Sequence, residues 1–134
     1  MFARFYSLIL VTLFTLASTT CFADINWQPY SKNVFTKAKQ EHKLVLIFGK
    51  AEWCPWCRKM KDNTYSDSAV VSLVNKHFIP VRVDIDNDAG LASNYDITVV
   101  PKTIILDENA RTVDSLTGYI DSGAMLKFLQ SNVK

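Results

Sequence analysis

The chain is poor in the residues that most alternative chemistries require. Its 134 residues include only two histidines, three cysteines, four glycines and four prolines. His42 and His77 stand alone in the sequence, far from the paired cysteines and from each other. Half of a four-ligand zinc site, the bland reading of two nearby cysteines, would lack its other half. A c-type haem needs His directly after the second cysteine of the pair, and that position is Arg58. No metal site or cofactor is read. Glycine and proline are too sparse for an interdomain linker, and no repeat or low-complexity tract is present. Fifteen basic residues against thirteen acidic ones give a net charge of +2. That balance implies neither nucleic acid nor an anionic membrane as a partner.

What the chain does have is Trp53-Cys54-Pro55-Trp56-Cys57, where the apolar run Leu44-Val45-Leu46-Ile47-Phe48 gives way through a turn to a helical pattern. Two thiols three positions apart at a strand-to-helix junction read as a dithiol redox centre. Residues i and i+3 share one face of a first helical turn, so their sulfurs can close or open a small disulfide ring. Pro55 suits the first helical position, where its missing amide hydrogen is no loss. Cys54 then becomes the N-cap, and the free amides of the first turn favour its thiolate, which marks it as the nucleophile. A purely structural disulfide is the plainer alternative, although a bridge over so short a loop constrains the unfolded chain only weakly.

Residues 1–23 read as a secretory signal. Arg4 supplies a basic start, Leu8 to Ala17 is apolar but short for a bilayer span, and Cys21-Phe22-Ala23 offers small residues where a signal peptidase reads. Cleavage after Ala23 is expected, with acylation of Cys21 or retention as an anchor as the alternatives. Cleavage would leave residues 24–134 as one domain of about 110 residues, with Cys54 and Cys57 its only cysteines and no membrane span. Removing Arg4 changes the charge to 14 − 13 = +1. An exported chain of this kind, periplasmic or otherwise outside the cytoplasm, works where disulfides are made and exchanged.

The remaining pattern alternates. Ser31 is placed to cap a helix to about His42 with Val34, Phe35 and Ala38 on one face. Leu44 to Phe48 reads as a strand buried on both faces. A helix follows from Cys54 to about Asp62, then a second, capped by Ser66 or Asp67, carrying Val70, Val71, Leu73 and Val74. Ile79 to Ile85 alternates as a strand, Asp88 to Tyr95 is a short helix, and Thr103 to Leu106 and Thr112 to Leu116 are strands. Ser122 to Val133 is a closing helix. This order predicts an α/β fold, a central sheet with helices on both faces.

Three further stretches join the dithiol segment Ala51 to Arg58: Val83-Asp84-Ile85-Asp86, Tyr95 through Pro101, and Gly118 before an amphipathic helix. Together they resemble the successive landmarks of the thioredoxin superfamily, over nearly all of residues 24–134. Asn63-Thr64-Tyr65-Ser66-Asp67 is similar to the thioredoxin-like domain of bacterial thiol:disulfide interchange reductases and small exported relatives. The resemblance implies a thioredoxin-like fold with a mixed sheet, and a cis bond before Pro101 opposite the dithiol. The backbone of Val100 would then face Cys54 and pair with an extended substrate segment as an added strand.

The chain also departs from thioredoxin. Phe48 stands where thioredoxin has a buried aspartate, so the carboxylate that serves the second cysteine's proton is missing. Glu52 is the nearest substitute, or else a solvated charge. Arg82 occupies the position of a neighbouring lysine and, without that aspartate, reads as a sheet-edge or surface charge. Lys102 follows the proline as a solvated or substrate-steering cation. Trp53 is expected to pack its loop on the core, with Trp56 an exposed platform for apolar substrate groups. Arg58 and Lys59 either support the thiolate or are surface charge.

The expected activity is reduction or exchange of protein disulfides. Cys54 attacks and Cys57 resolves, with Trp53, Pro55, Trp56, Val100 and Pro101 holding substrate and a membrane or periplasmic redox partner supplying electrons. Disulfide oxidation or isomerisation is the same chemistry run in other directions. A different class is a copper-handling protein with Cys54, Cys57 and Met60 as soft ligands.

Overall fold

The computed structural model describes residues 24–133. The elements in chain order are β1 (Gln28–Pro29), α1 (Lys32–Glu41), β2 (Leu44–Lys50), α2 (Pro55–Lys59) running into a π-helical turn (Met60–Thr64), and α3 (Ser68–His77). They continue with β3 (Phe78–Asp84), α4 (Ala89–Asn94), β4 (Lys102–Leu106), β5 (Thr112–Thr117) and α5 (Ser122–Asn132). The sheet order is β1-β3-β2-β4-β5. β2 and β1 run parallel to β3, whereas β4 lies antiparallel to both β2 and β5. The sheet is therefore mixed, as the alternation and the resemblance together predict.

β2 lies at the centre because its Val45-Leu46-Ile47-Phe48 run has no polar face to offer water. Strand alternation divides that run between two cores. Val45 and Ile47 pack with Val34 and Ala38 of α1, Ala92 of α4, and Ile79, Val81 and Val83 of β3. Leu46 and Phe48 pack with Val70 and Val74 of α3, Met125 and Leu129 of α5, and both cysteines. Helices thus cover both faces, and β2 delivers the chain from between the two cores to the dithiol.

Gly49, the next residue on β2, leaves room for a neighbour. A Cβ there would approach Ile97 Cγ2 at 2.9 Å, closer than packed carbons tolerate. The loop before β4 can therefore lie against the end of β2.

Helix starts follow the capping rules unevenly. The Asp67 carboxylate accepts from the amides of Ala69 and Val70 at 3.0 and 3.2 Å, and Asp121 accepts from Ala124 at 2.8 Å. Ser31 holds the N-cap position of α1 without a side-chain cap bond. The dithiol helix passes the end expected near Asp62. A wide turn, closed by the Tyr65 amide on the Met60 carbonyl at 3.0 Å, carries it to Thr64. That turn buries both Met60 and Thr64, and the Thr64 hydroxyl donates to the Ile120 carbonyl ahead of α5.

β3 differs from the alternating strand read at Ile79 to Ile85. It begins at Phe78, and its first four residues are all buried, because helices cover both faces of the sheet, while β1 pairs with β3 at Val81 and Arg82. β1 itself, at two residues, was not foreseen.

Candidate functional site

At the end of β2 the chain turns through Ala51-Glu52-Trp53, and the Cys54 amide donates to the Ala51 carbonyl at 3.2 Å. Cys54 is the N-cap of α2, with extended backbone, and Pro55 follows in the first turn. The buried amide of Cys57 donates to Cys54 Sγ at 3.1 Å. The two sulfurs are joined in a disulfide whose Cα atoms lie 5.2 Å apart. Cys54 and Cys57 are 3 % and 2 % exposed and belong to the core cluster on the α3 and α5 side. An amide aimed at Cys54 Sγ from a helical first turn stabilises charge on that sulfur when the bond opens.

Around the disulfide the surface is aromatic and apolar. Trp56 is 54 % exposed and lies 5.5 Å from the Tyr119 ring, with Lys59 Nζ 4.9 Å from both ring centroids. Trp53 does not pack on the core as expected. It is 62 % exposed, and its indole N–H donates to Asp86 Oδ2 at 2.9 Å. The turn holds the indole outward because Asp86, in the turn after β3, offers it a partner at the surface. Pro55 and Val99 are also exposed. The Val100–Pro101 bond is cis. Val100 packs against both cores, and Pro101 is buried with its carbonyl accepting from the Gly118 amide at 2.7 Å.

On its other side Cys57 borders a cavity of about 170 Å³, lined also by Lys50, Ala51, Glu52, Arg58, Lys61 and Arg82. Lys50 bonds the Glu52 carboxylate and lies 3.3 Å from Asp84 Oδ2. Burial raises the Asp84 pKa, but the Asp86 amide and the Lys50 ammonium outweigh it, so the carboxyl sits below its ordinary range. Arg58 donates to the Glu52 carbonyl at 2.9 Å.

Arg82 is neither at a sheet edge nor a free surface charge. β3 lies between β1 and β2, and the Arg82 guanidinium lies over Trp27 at 5.2 Å with its Nε buried and without a hydrogen-bond partner among the described residues. Burial lowers its pKa and the Glu52 charge opposes that shift. Lys102 donates to the Asp96 carbonyl at 2.6 Å, which ties it to the loop before β4.

Sequence reasoning named the dithiol and its flanking tryptophans but missed Lys50, Lys61 and Tyr119. Lys50 was within reach, since strand alternation puts it on the same face as Phe48, the face toward the cysteines. Nothing local marked Tyr119. His42 and His77, 35 positions apart (77 − 42), are brought together by the fold. Both line a separate cavity of about 390 Å³ beside the start of β2, with Leu44, Val113, Asn132 and Val133. Among the described residues no group of three or more His, Cys, Asp or Glu is placed to hold a metal. Met60 is fully buried in the cysteine-bearing core. No described helix is long and apolar enough to cross a membrane, and the expected signal segment lies outside the described residues.

Comparison with known proteins agrees with this geometry. The family described as Thioredox_DsbH, protein of unknown function, DUF255, matches residues 17–104. The chain is 26 % identical over 101 residues to "Disulfide bond reductase DsbH" of Chlamydia pneumoniae, covering 66 % of this chain and 60 % of that protein. It is 30 % identical over 60 residues to "Spermatogenesis-associated protein 20" of Rattus norvegicus, 45 % of this chain but only 8 % of that one. It thus spans less than two thirds of the length of both. Among solved structures a thioredoxin from Thermus thermophilus superposes with a TM-score of 0.72 at 25 % identity, covering 81 % of this chain and 87 % of the other.

Proposed function

Because the chain belongs to the Thioredox_DsbH family and has a thioredoxin-like fold, we propose that it is a thiol–disulfide oxidoreductase acting on protein disulfides through Cys54 and Cys57. The observation that carries this reading is the helix-capping disulfide, in which the Cys57 amide already donates to the Cys54 sulfur. In the reduced protein the Cys54 thiolate attacks one sulfur of a substrate disulfide. The substrate's other sulfur leaves as thiolate and takes up a proton, and Cys54 is left in a mixed disulfide. Cys57 then attacks Cys54 Sγ. The intramolecular disulfide re-forms and the second substrate sulfur departs, so the substrate gains two electrons and the dithiol loses them.

Trp53, Pro55 and Trp56 form the exposed platform for the substrate's apolar side chains. Val100 and Pro101 form the backbone edge along which an extended segment pairs. Reduction is the favoured direction, supported by the name of the chlamydial relative. The working site is outside the cytoplasm, with residues 1–23 a signal removed after Ala23, residues 24–134 the functional domain, and a periplasmic or membrane protein returning electrons to the dithiol.

The test is to incubate the reduced protein with a disulfide-bonded protein and count the thiols that appear on that substrate, because exchange leaves the total number of thiols unchanged. Parent protein should generate them stoichiometrically and Cys54→Ser should generate none. A Cys54→Ser variant that reduces like the parent would remove the reading.

A further inference from the structure

We propose that the cationic cavity beside Cys57 holds the second cysteine as a thiolate by charge alone, so that the resolving step needs no carboxylate base. The inference rests on the exchange reading above and assigns Arg82 as the main supporting charge.

The first observation is what lies beneath Cys57. Phe48, 1 % exposed, occupies the β2 position facing the dithiol core and offers no group to accept a proton. The second is the charge of the cavity wall. Lys50, Arg58, Lys61 and Arg82 face one lining carboxylate, Glu52. Lys50 is shared between Glu52 and Asp84, and Lys61 lies 3.7 Å from Asp62. Asp86, in the turn after β3, is engaged by Trp53. Arg58 and Arg82 are left with no carboxylate within ion-pair distance among the described residues. The third is the buried Arg82 Nε, a donor without a partner among the described residues, and buried donors are rarely left so without a reason.

With the disulfide closed, the Cys57 sulfur carries no charge and the cavity keeps its excess of cations. Once Cys54 is engaged with substrate, Cys57 loses its proton to solvent, and its thiolate is the anion the cavity lacks. That thiolate attacks Cys54 Sγ, the bond from Cys54 to the substrate sulfur breaks, and the electron pair leaves on the substrate sulfur, which is then protonated. Glu52 is a poor base for the first of these steps, because its side chain is 81 % exposed and bound to the Lys50 ammonium.

The experiment is stopped-flow reaction of the reduced full chain, carrying Cys21→Ser, with dithiobis-nitrobenzoate. The first coloured thiolate reports attack by Cys54 and the second reports resolution by Cys57. Arg82→Gln is expected to slow the second phase about tenfold at neutral pH and to move its pH midpoint up by about one unit, with the first phase unchanged. Arg82→Lys should restore both, and Glu52→Gln should leave the second phase as fast or faster. An unmoved midpoint in Arg82→Gln, or a tenfold slowing in Glu52→Gln, would overturn the proposal.

Should Arg82→Gln fail to fold, the parent alone decides. A second-phase midpoint below the ordinary thiol value of about 8.5 supports the charge mechanism, and one at or above it defeats it. A parent with both phases that reduces no protein disulfide refutes the exchange reading instead, so the two failures are distinguishable.

Discussion

The amide of Gly118 donates a 2.7 Å hydrogen bond to the carbonyl of Pro101, joining the end of β5 to the segment that carries Val100 into the site. It extends the β4–β5 ladder one step beyond the Lys102–Thr117 pair. It also requires a backbone that only glycine adopts freely, since Gly118 has φ of +93°. An added Cβ there meets nothing within 4 Å among the described residues, so the cost of a side chain is torsional and not steric. Gly118→Ala should lower the unfolding free energy by about 1–2 kcal/mol, read as a shifted urea midpoint at unchanged slope. Parent stability in that variant would mean that the turn relaxes at no cost.

The two sulfurs should separate by role. Cys57→Ser keeps the attacking sulfur at the helix start and removes the resolving one, so disulfide-linked adducts with substrate should accumulate on Cys54 and dissolve with reductant. Cys54→Ser should accumulate none. Non-reducing electrophoresis of cells expressing each variant reads this directly, and equal adduct formation by both would contradict the assignment of attack to Cys54.

Legibility followed how local each interaction was. The central strand could be read because an unbroken apolar run has no other use in a small domain, and the dithiol helix because Pro55 and the cysteine spacing act within one turn. The Asp67 cap is equally local, and its two amides lie within three residues. Contacts between segments distant in sequence were not legible. The outward Trp53 depends on Asp86, 33 positions away, and Tyr119 meets Trp56 from the loop before α5. The π-helical turn was missed because its reason is tertiary, the burial of Met60 and Thr64 together. Arg82 was misplaced because a two-residue β1 leaves almost no pattern, yet it makes β3 an inner strand.

Tyr65 should leave a mark on stability at alkaline pH. It is 4 % exposed, packed between Trp27 and Phe48, and its hydroxyl shares a 3.0 Å hydrogen bond with Thr103. Burial pushes its pKa well above the ordinary tyrosine value, and the Thr103 bond offsets only part of that. In the unfolded chain the phenol ionises near pH 10, while in the folded protein it stays neutral. Its contribution is therefore complete below about pH 10 and is lost as pH rises toward the folded pKa, at about 1.4 kcal/mol per pH unit. Tyr95, raised first by burial and then by its bond to Tyr30, acts in the same direction from a more exposed position. Tyr65→Phe should cost about 1 kcal/mol at neutral pH, because Thr103 loses its partner, and should flatten the alkaline slope. An unchanged slope above pH 10 would show that Tyr65 ionises in the folded state.

Trp56 should separate recognition of a protein from reaction of the sulfurs. Its indole is half exposed, tilted against Tyr119 and beneath the Lys59 ammonium, so it makes little contact with the core and a large contact with whatever lies over the disulfide. Trp56→Ala should therefore leave unfolding within about 0.5 kcal/mol of the parent. The same change should raise KM for a protein disulfide about tenfold, equivalent to about 1.4 kcal/mol of lost contact. The rate with a small disulfide, which spans only the sulfurs, should not change, and Trp56→Phe should recover much of the loss by keeping a ring against Tyr119. Equal losses on the small and the protein substrate would place Trp56 in control of the Cys54 sulfur itself, and the platform assigned to it would have to be given up.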